Sequence, residues 1–185
     1  CQSDALTANG EWGPVFYPIC PGHEIVGTVA EVGSDVQDFK VGDRVGYGVQ
    51  RECCNSCEQC AEGTENLCTG EPLQMLTYGD MYWGGYATVV QQPADFAFKL
   101  PAELDETTAP SLFCAGITTY APLARLCKPG DRVAVLGIGG LGHLAVQFAN
   151  ALGCEVTAFT TSKDKEEMIK GLGAQRVMNS LDQKA

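Results

Sequence analysis

Cys54, Cys57, Cys60 and Cys68 stand in the pattern C-x2-C-x2-C-x7-C, with Cys53 as a fifth neighbour. Two residues between cysteines let the backbone fold back so that two thiolates reach one ion, and the longer gap supplies a lobe that closes a tetrahedron. An all-thiolate tetrahedral site suits zinc and keeps no position open for a substrate, so its role is structural. An iron–sulfur centre also suits thiolates, and a disulfide knot is a third reading, against which the odd fifth cysteine weighs. A second group of metal-capable residues is scattered: His23 and Glu24 side by side after Pro21-Gly22, and the outlying Cys1 and Cys114. A lone histidine is more often a hydrogen-bonded core residue than a ligand. The thiols elsewhere in the chain are what raise the ligand reading.

A third feature is Gly137-Ile138-Gly139-Gly140-Leu141-Gly142, a G-x-G-x-x-G match on Gly137, Gly139 and Gly142. It follows the apolar run Arg132–Leu136 and opens a helical pattern, the context in which backbone amides and a helix dipole cradle a pyrophosphate; a merely flexible turn is the alternative. About 20 residues on, an NAD site would carry a carboxylate for the ribose hydroxyls. This chain has Thr160, Thr161, Ser162, Lys163, Asp164 and Lys165 instead. Hydroxyls and ammonium groups suit a 2′-phosphate, which predicts NADP(H) over NAD(H), with Thr160, Thr161, Ser162 and Lys165 as contacts. The alternative, that Lys163 and Lys165 are ordinary solvated surface lysines, is kept open by Asp164.

The elements that must position these groups change character along the chain. Residues 1 to about 100 are rich in Gly, Pro and Val and carry short runs at 25–32, 44–49, 86–90 and 96–100, which predict an antiparallel, barrel-like β unit. A strand over 25–32 with His23 and Glu24 at its entrance points them to opposite faces unless the turn twists. From about Ser111 the pattern becomes helix at 113–123, strand at 132–136, helix at 141–152 closed by Gly153, strand at 155–159, a polar helix at 163–171 and a third strand from Arg176. That is β-α-β-α with a further strand begun, too little to close a doubly wound sheet.

With 185 residues, 45% of them hydrophobic, the chain can hold a buried core as one large domain or two small ones. Its 12 basic and 23 acidic residues leave a net charge of −11, which disfavours nucleic acid or an anionic membrane surface as partner. No run of about 18 apolar residues occurs. The scattered remaining cysteines predict a reducing compartment, the cytoplasm. A chain opening on Cys1 reads as part of something longer.

Taken together, C-x-S-D at 1–4, P-G-H-E at 21–24, the four-cysteine lobe, Cys114 followed by A-G-I-T-T-Y, and the Gly137 turn resemble, in that order, zinc-dependent medium-chain alcohol dehydrogenases. Glu24 beside His23 and the Thr-Thr-Ser…Lys segment resemble more narrowly the cinnamyl alcohol dehydrogenase branch, which reduces aldehydes with NADPH. The resemblance implies a GroES-like catalytic domain over 1–108, lacking its first strands and carrying a structural zinc lobe at 50–70. The beginning of a Rossmann domain would follow over 109–185. It implies two Zn2+ per chain: a structural ion on Cys54, Cys57, Cys60 and Cys68, and a catalytic ion on Cys1, His23 and Cys114 with Glu24 as a displaceable ligand. It assigns Ser3 to proton relay and cofactor contact and Asp4 to orienting His23. Thr118, Gly137, Gly139, Gly140, Leu141 and Gly142 fall to the cofactor, and Trp12 and Leu76 to the pocket of a small alcohol or aldehyde, aromatic or medium-chain. The full-length protein would be a homodimer. Two departures stand out: Ala5-Leu6 replaces the Leu-His common in this branch, removing a relay imidazole, and only about half a subunit is present, so the piece alone would turn over little or nothing. The alternatives are a non-catalytic four-cysteine zinc-binding interaction module from another class, or an inactive relative retaining only the fold.

Overall fold

In the computed structural model, which describes residues 1–70 and 83–181, the chain divides into two units, Cys1–Cys114 and Ala115–Ala185. Residues 109–114, grouped by sequence with the second half, belong to the first.

The first unit opens with helix α1, Gln2–Ala8, where the sequence predicts no helix. Its start is set chemically: Asp4 occupies the third helical position and its carboxylate reaches back to the Cys1 main-chain nitrogen, the second half of a capping box. Seven residues are too few for an apolar period to show. Strands β1, Ile25–Thr28, and β2, Arg44–Tyr47, pair antiparallel with Ile25 opposite Tyr47, and β3, Phe98–Lys99, adds to the other edge of β2. Beyond Thr28 the pairing continues through Val29 N–H to Asp43 O and Gly42 N–H to Val29 O, both 2.9 Å, around the 40–43 turn. Residues 86–90, expected as a strand, are not one: the Gly85 and Tyr86 amides bond the Gly22 and Pro21 carbonyls instead. Arg44 donates to the carbonyls of Pro101, Ala102 and Leu104, fastening the return from β3. A short 3-10 helix, Ala109–Phe113, then packs on β1 and β2. Helix α2, Glu58–Ala61, sits inside the cysteine lobe.

The second unit follows its sequence pattern closely. Helix α3, Ala115–Leu126, leads to β4, Arg132–Leu136; α4, Gly140–Ala151; β5, Glu155–Thr160; a 3-10 turn and α5, Glu166–Gly171; and β6, Arg176–Asn179. The three strands are parallel in the order β4-β5-β6, with Arg132 opposite Glu155 and Thr157 opposite Arg176. Central β5 alternates, burying Val156, Ala158 and Thr160. Val146, Val156 and Ile169 are fully buried in this core, each contributing about 2 kcal/mol by removal of apolar surface from water. No helix is long and apolar enough to cross a membrane among the described residues.

Candidate functional site

Cys1, His23 and Cys114 converge within the first unit, their ligand atoms all within 4.8 Å of one another. Cys1 Sγ lies 3.4 Å from His23 Nε2 and 3.9 Å from Cys114 Sγ. In a tetrahedron with Zn–S of about 2.3 Å and Zn–N of about 2.05 Å, the S–S and S–N edges are about 3.8 and 3.6 Å. The donor set and its spacing therefore fit zinc, with a fourth position left over.

Asp4 organises this group. It is 3% exposed, and its Oδ1 accepts the Gly22 amide at 2.9 Å and faces His23 Nδ1 at 3.1 Å, while Oδ2 takes the Cys1 nitrogen at 2.6 Å. A carboxylate at Nδ1 assigns the proton to that nitrogen and turns the Nε2 lone pair toward Cys1 and Cys114. Burial pushes the Asp4 carboxyl up, and the hydrogen bond and charge of His23 are among the contacts that bring it down. Burial, followed by the charge of Glu24, pushes the Cys114 thiol up, the cost a bound cation would reverse. Ser3 Oγ is 3.2 Å from Cys1 Sγ.

His23 and Glu24 do not sit on opposite faces of a strand, because β1 begins only at Ile25. Both precede it, and Cys1, Asp4, His23 and Glu24 form a set within 4.8 Å, with Glu24 Oε2 3.0 Å from the Cys1 nitrogen. The turn is made by Gly22 at φ +116°, where a Cβ would also stand 2.8 Å from the Tyr86 nitrogen. The brace responsible is Gly84-Gly85-Tyr86, whose amides bond the Cys20, Gly22 and Pro21 carbonyls and which is absent from the sequence-based candidates. Its signal is the glycine pair itself, since a Cβ on Gly84 would strike the Pro21 carbonyl at 2.5 Å.

Cys54, Cys57, Cys60 and Cys68 form the second cluster, with Sγ separations of 3.9, 3.5 and 3.9 Å for 54–60, 57–60 and 57–68. These match a ZnS4 edge and are far from the roughly 2.05 Å of a disulfide; all ten cysteines are free. Ser56, by its hydroxyl and amide, brings the Cys54 thiol down to about 5, and the Cys60 amide brings Cys57 down to about 7. Lowered thiols are the ones ready to bind metal as thiolates. Cys53 stands outside the set, its Sγ 3.0 Å from Asn55 Oδ1.

In the second unit the glycine turn joins β4 to α4. Gly137 adopts φ +85°, and a Cβ on Gly142 would stand 2.0 Å from the Gly137 oxygen, so the turn closes only with glycine there. Beside Gly139 and Gly140 there is open space, which leaves their backbone approachable by a phosphate. Leu141 is exposed beside them, as is Thr118 on α3. Lys165 Nζ lies 3.4 Å from the Ile138 oxygen, bringing its charge to the turn. Thr161 is exposed and Ser162 half-buried, whereas Thr160 is buried and its Oγ1 accepts the Ser162 amide, so its hydroxyl serves the turn. Trp12 is half exposed in the first unit; Leu76 lies outside the described residues.

Residues 1–102 match the family Alcohol dehydrogenase GroES-like domain, and residues 140–185 match Zinc-binding dehydrogenase. The chain belongs to the zinc-binding medium-chain alcohol dehydrogenases. It is 50% identical to a probable mannitol dehydrogenase of Fragaria ananassa, covering 99% of this chain and 53% of that one. A solved cinnamyl alcohol dehydrogenase from Sorghum bicolor superposes with a TM-score of 0.89 at 40% identity, over 98% of this chain and 54% of that one. CAD from Helicobacter pylori, complexed with NADP(H), gives 0.84 at 34%, over 96% and 53%. The chain thus spans about half the length of the relatives it matches, and its fold class is a GroES-like β unit followed by part of a Rossmann domain.

Proposed function

We propose that this chain is part of a dehydrogenase that exchanges a hydride between NADP(H) and a primary alcohol or aldehyde, aromatic or medium-chain, with one catalytic and one structural zinc. The carrying observation is the meeting of Cys1, His23 and Cys114, 113 residues apart at the extremes, around a shared centre with one position free. When bound, the zinc would make a substrate oxygen easier to deprotonate or a carbonyl easier to reduce, and the nicotinamide would supply the hydride. The chain's own residues do the rest. Asp4 keeps the His23 proton on Nδ1 and so keeps Nε2 available. Glu24, in the same set, offers a carboxylate that can take or yield the fourth position. Ser3 beside Cys1 carries the hydroxyl through which the substrate proton leaves; with Leu6 in place of an imidazole, that proton passes to solvent without a histidine.

The glycine turn with Gly139, Gly140, Leu141 and Gly142 holds the pyrophosphate, Thr118 contacts the nicotinamide, and Thr161, Ser162 and Lys165 receive the 2′-phosphate. Thr160, through its bond from the Ser162 amide, shapes the turn that presents them. Trp12 and Leu76 line the substrate pocket. The four-cysteine lobe is structural. A homodimer is the full-length form. The cytoplasm suits ten free thiols.

The test is NADPH-linked reduction of a panel of aliphatic and aromatic aldehydes by the full-length protein, before and after chelation. Loss of activity on chelation and recovery with Zn2+ is expected. Activity indifferent to chelation, or a clear preference for NADH, would overturn the zinc or the cofactor assignment respectively.

A further inference from the structure

We propose that Gly48, helped by Gly46, is a positioning residue for Cys114, an inference that rests on the reading that Cys1, His23 and Cys114 hold one metal ion. Cys114 follows the 3-10 helix at 109–113, which packs on β1 and β2. A Cβ on Gly48 would stand 2.8 Å from the main-chain oxygen of Phe113, and one on Gly46 would stand 2.1 Å from the edge of the Phe113 ring. That oxygen belongs to the peptide linking Phe113 to Cys114. Anything that pushes it moves the Cys114 backbone, and with it Sγ, relative to Cys1 and His23.

The two glycines act differently. At Gly48 the obstacle is main chain, which cannot turn aside. At Gly46 it is a ring, held from another direction by Phe98 of β3 at a centroid distance of 6.0 Å. Both strand-side glycines leave bare backbone where another segment approaches closely, which is the usual meaning of glycine in or beside a strand. Gly27 on β1 is the contrast: a Cβ there meets nothing within 4 Å. Metal–ligand distances in a formed site hold to within about 0.2 Å of their standard values. A displacement of the Phe113–Cys114 peptide large enough to admit a methyl group exceeds that. The four-cysteine lobe draws its ligands from residues 54–68 and takes none from this peptide.

The experiment titrates Zn2+ against a competing chelator, and Co2+ by absorption, in full-length wild type, Gly48→Ala, Gly46→Ala, Gly46→Ala with Phe113→Leu, and Gly27→Ala. Wild type and Gly27→Ala should both show two sites of unchanged affinity. Gly48→Ala should lose at least about tenfold in affinity at the three-ligand site, with an altered cobalt spectrum there and an unchanged four-cysteine site, a split that a general loss of stability does not produce. Gly46→Ala should lose affinity at the same site, and shortening Phe113 to Leu should restore it. Affinity in Gly48→Ala within twofold of wild type would overturn the proposal. Should that variant not fold, failure of Phe113→Leu to rescue Gly46→Ala would do the same. A wild type that binds one metal would instead refute the zinc reading on which the proposal stands.

Discussion

At the scale of single residues, Asp4 is the hinge of the account. Its carboxylate serves the Cys1 nitrogen, the Gly22 amide and His23 Nδ1 at once, so one buried side chain sets two candidate ligands and the turn between them. Asp4→Asn keeps the shape but can donate where the aspartate accepts, leaving the imidazole tautomer unfixed. Zinc affinity at the three-ligand site should fall by about 10- to 100-fold in Asp4→Asn, as measured by chelator competition, while the four-cysteine site is untouched. Lys165 is the second decisive residue. If its ammonium receives a 2′-phosphate, Lys165→Ala should weaken NADPH binding by about tenfold, consistent with a charge-assisted hydrogen bond of about 1.5–3 kcal/mol, and leave NADH binding within twofold. Fluorescence titration of the two cofactors separates these outcomes, and equal weakening of both would contradict the assignment.

Among the elements, those with a strong internal pattern were legible and those made by contacts between distant segments were not. Strand β4, helix α4 and strand β5 fall within a residue or so of their apolar runs, because a parallel strand covered on both faces and a helix with one apolar stripe each leave a signature in their own residues. Helix α1 leaves none, since what starts it is Asp4 folding back on Cys1. Residues 86–90 have the composition of a strand, yet the amides of Gly85 and Tyr86 go to the His23 turn. The cysteine lobe is legible from spacing alone, whereas Cys1 and Cys114 carry no local signal of their meeting, and only the resemblance to a family links them. Two elements yield further predictions. Cys57→Ser should unfold the lobe and lower the thermal midpoint, because structural metal binding is coupled to folding; an unchanged midpoint would argue that the lobe holds itself without an ion. Gly142→Ala places a methyl 2.0 Å from the Gly137 oxygen and should lower NADPH affinity without changing bound zinc, as read by titration and metal analysis.

For the molecule as a whole, the two units divide the chemistry: among the described residues, the metal candidates lie in the first, and the glycine turn and the polar segment after β5 in the second. The −11 net charge, a burden for any nucleic-acid reading, is no obstacle to a small neutral substrate. The chain spans about half the length of its relatives, and metal content is the property that can be read most directly. The most direct measurement is the zinc stoichiometry of wild type and Cys1→Ser by elemental analysis. Two ions per chain in wild type and one in the variant are predicted; one ion in wild type, or two in Cys1→Ser, would contradict the account.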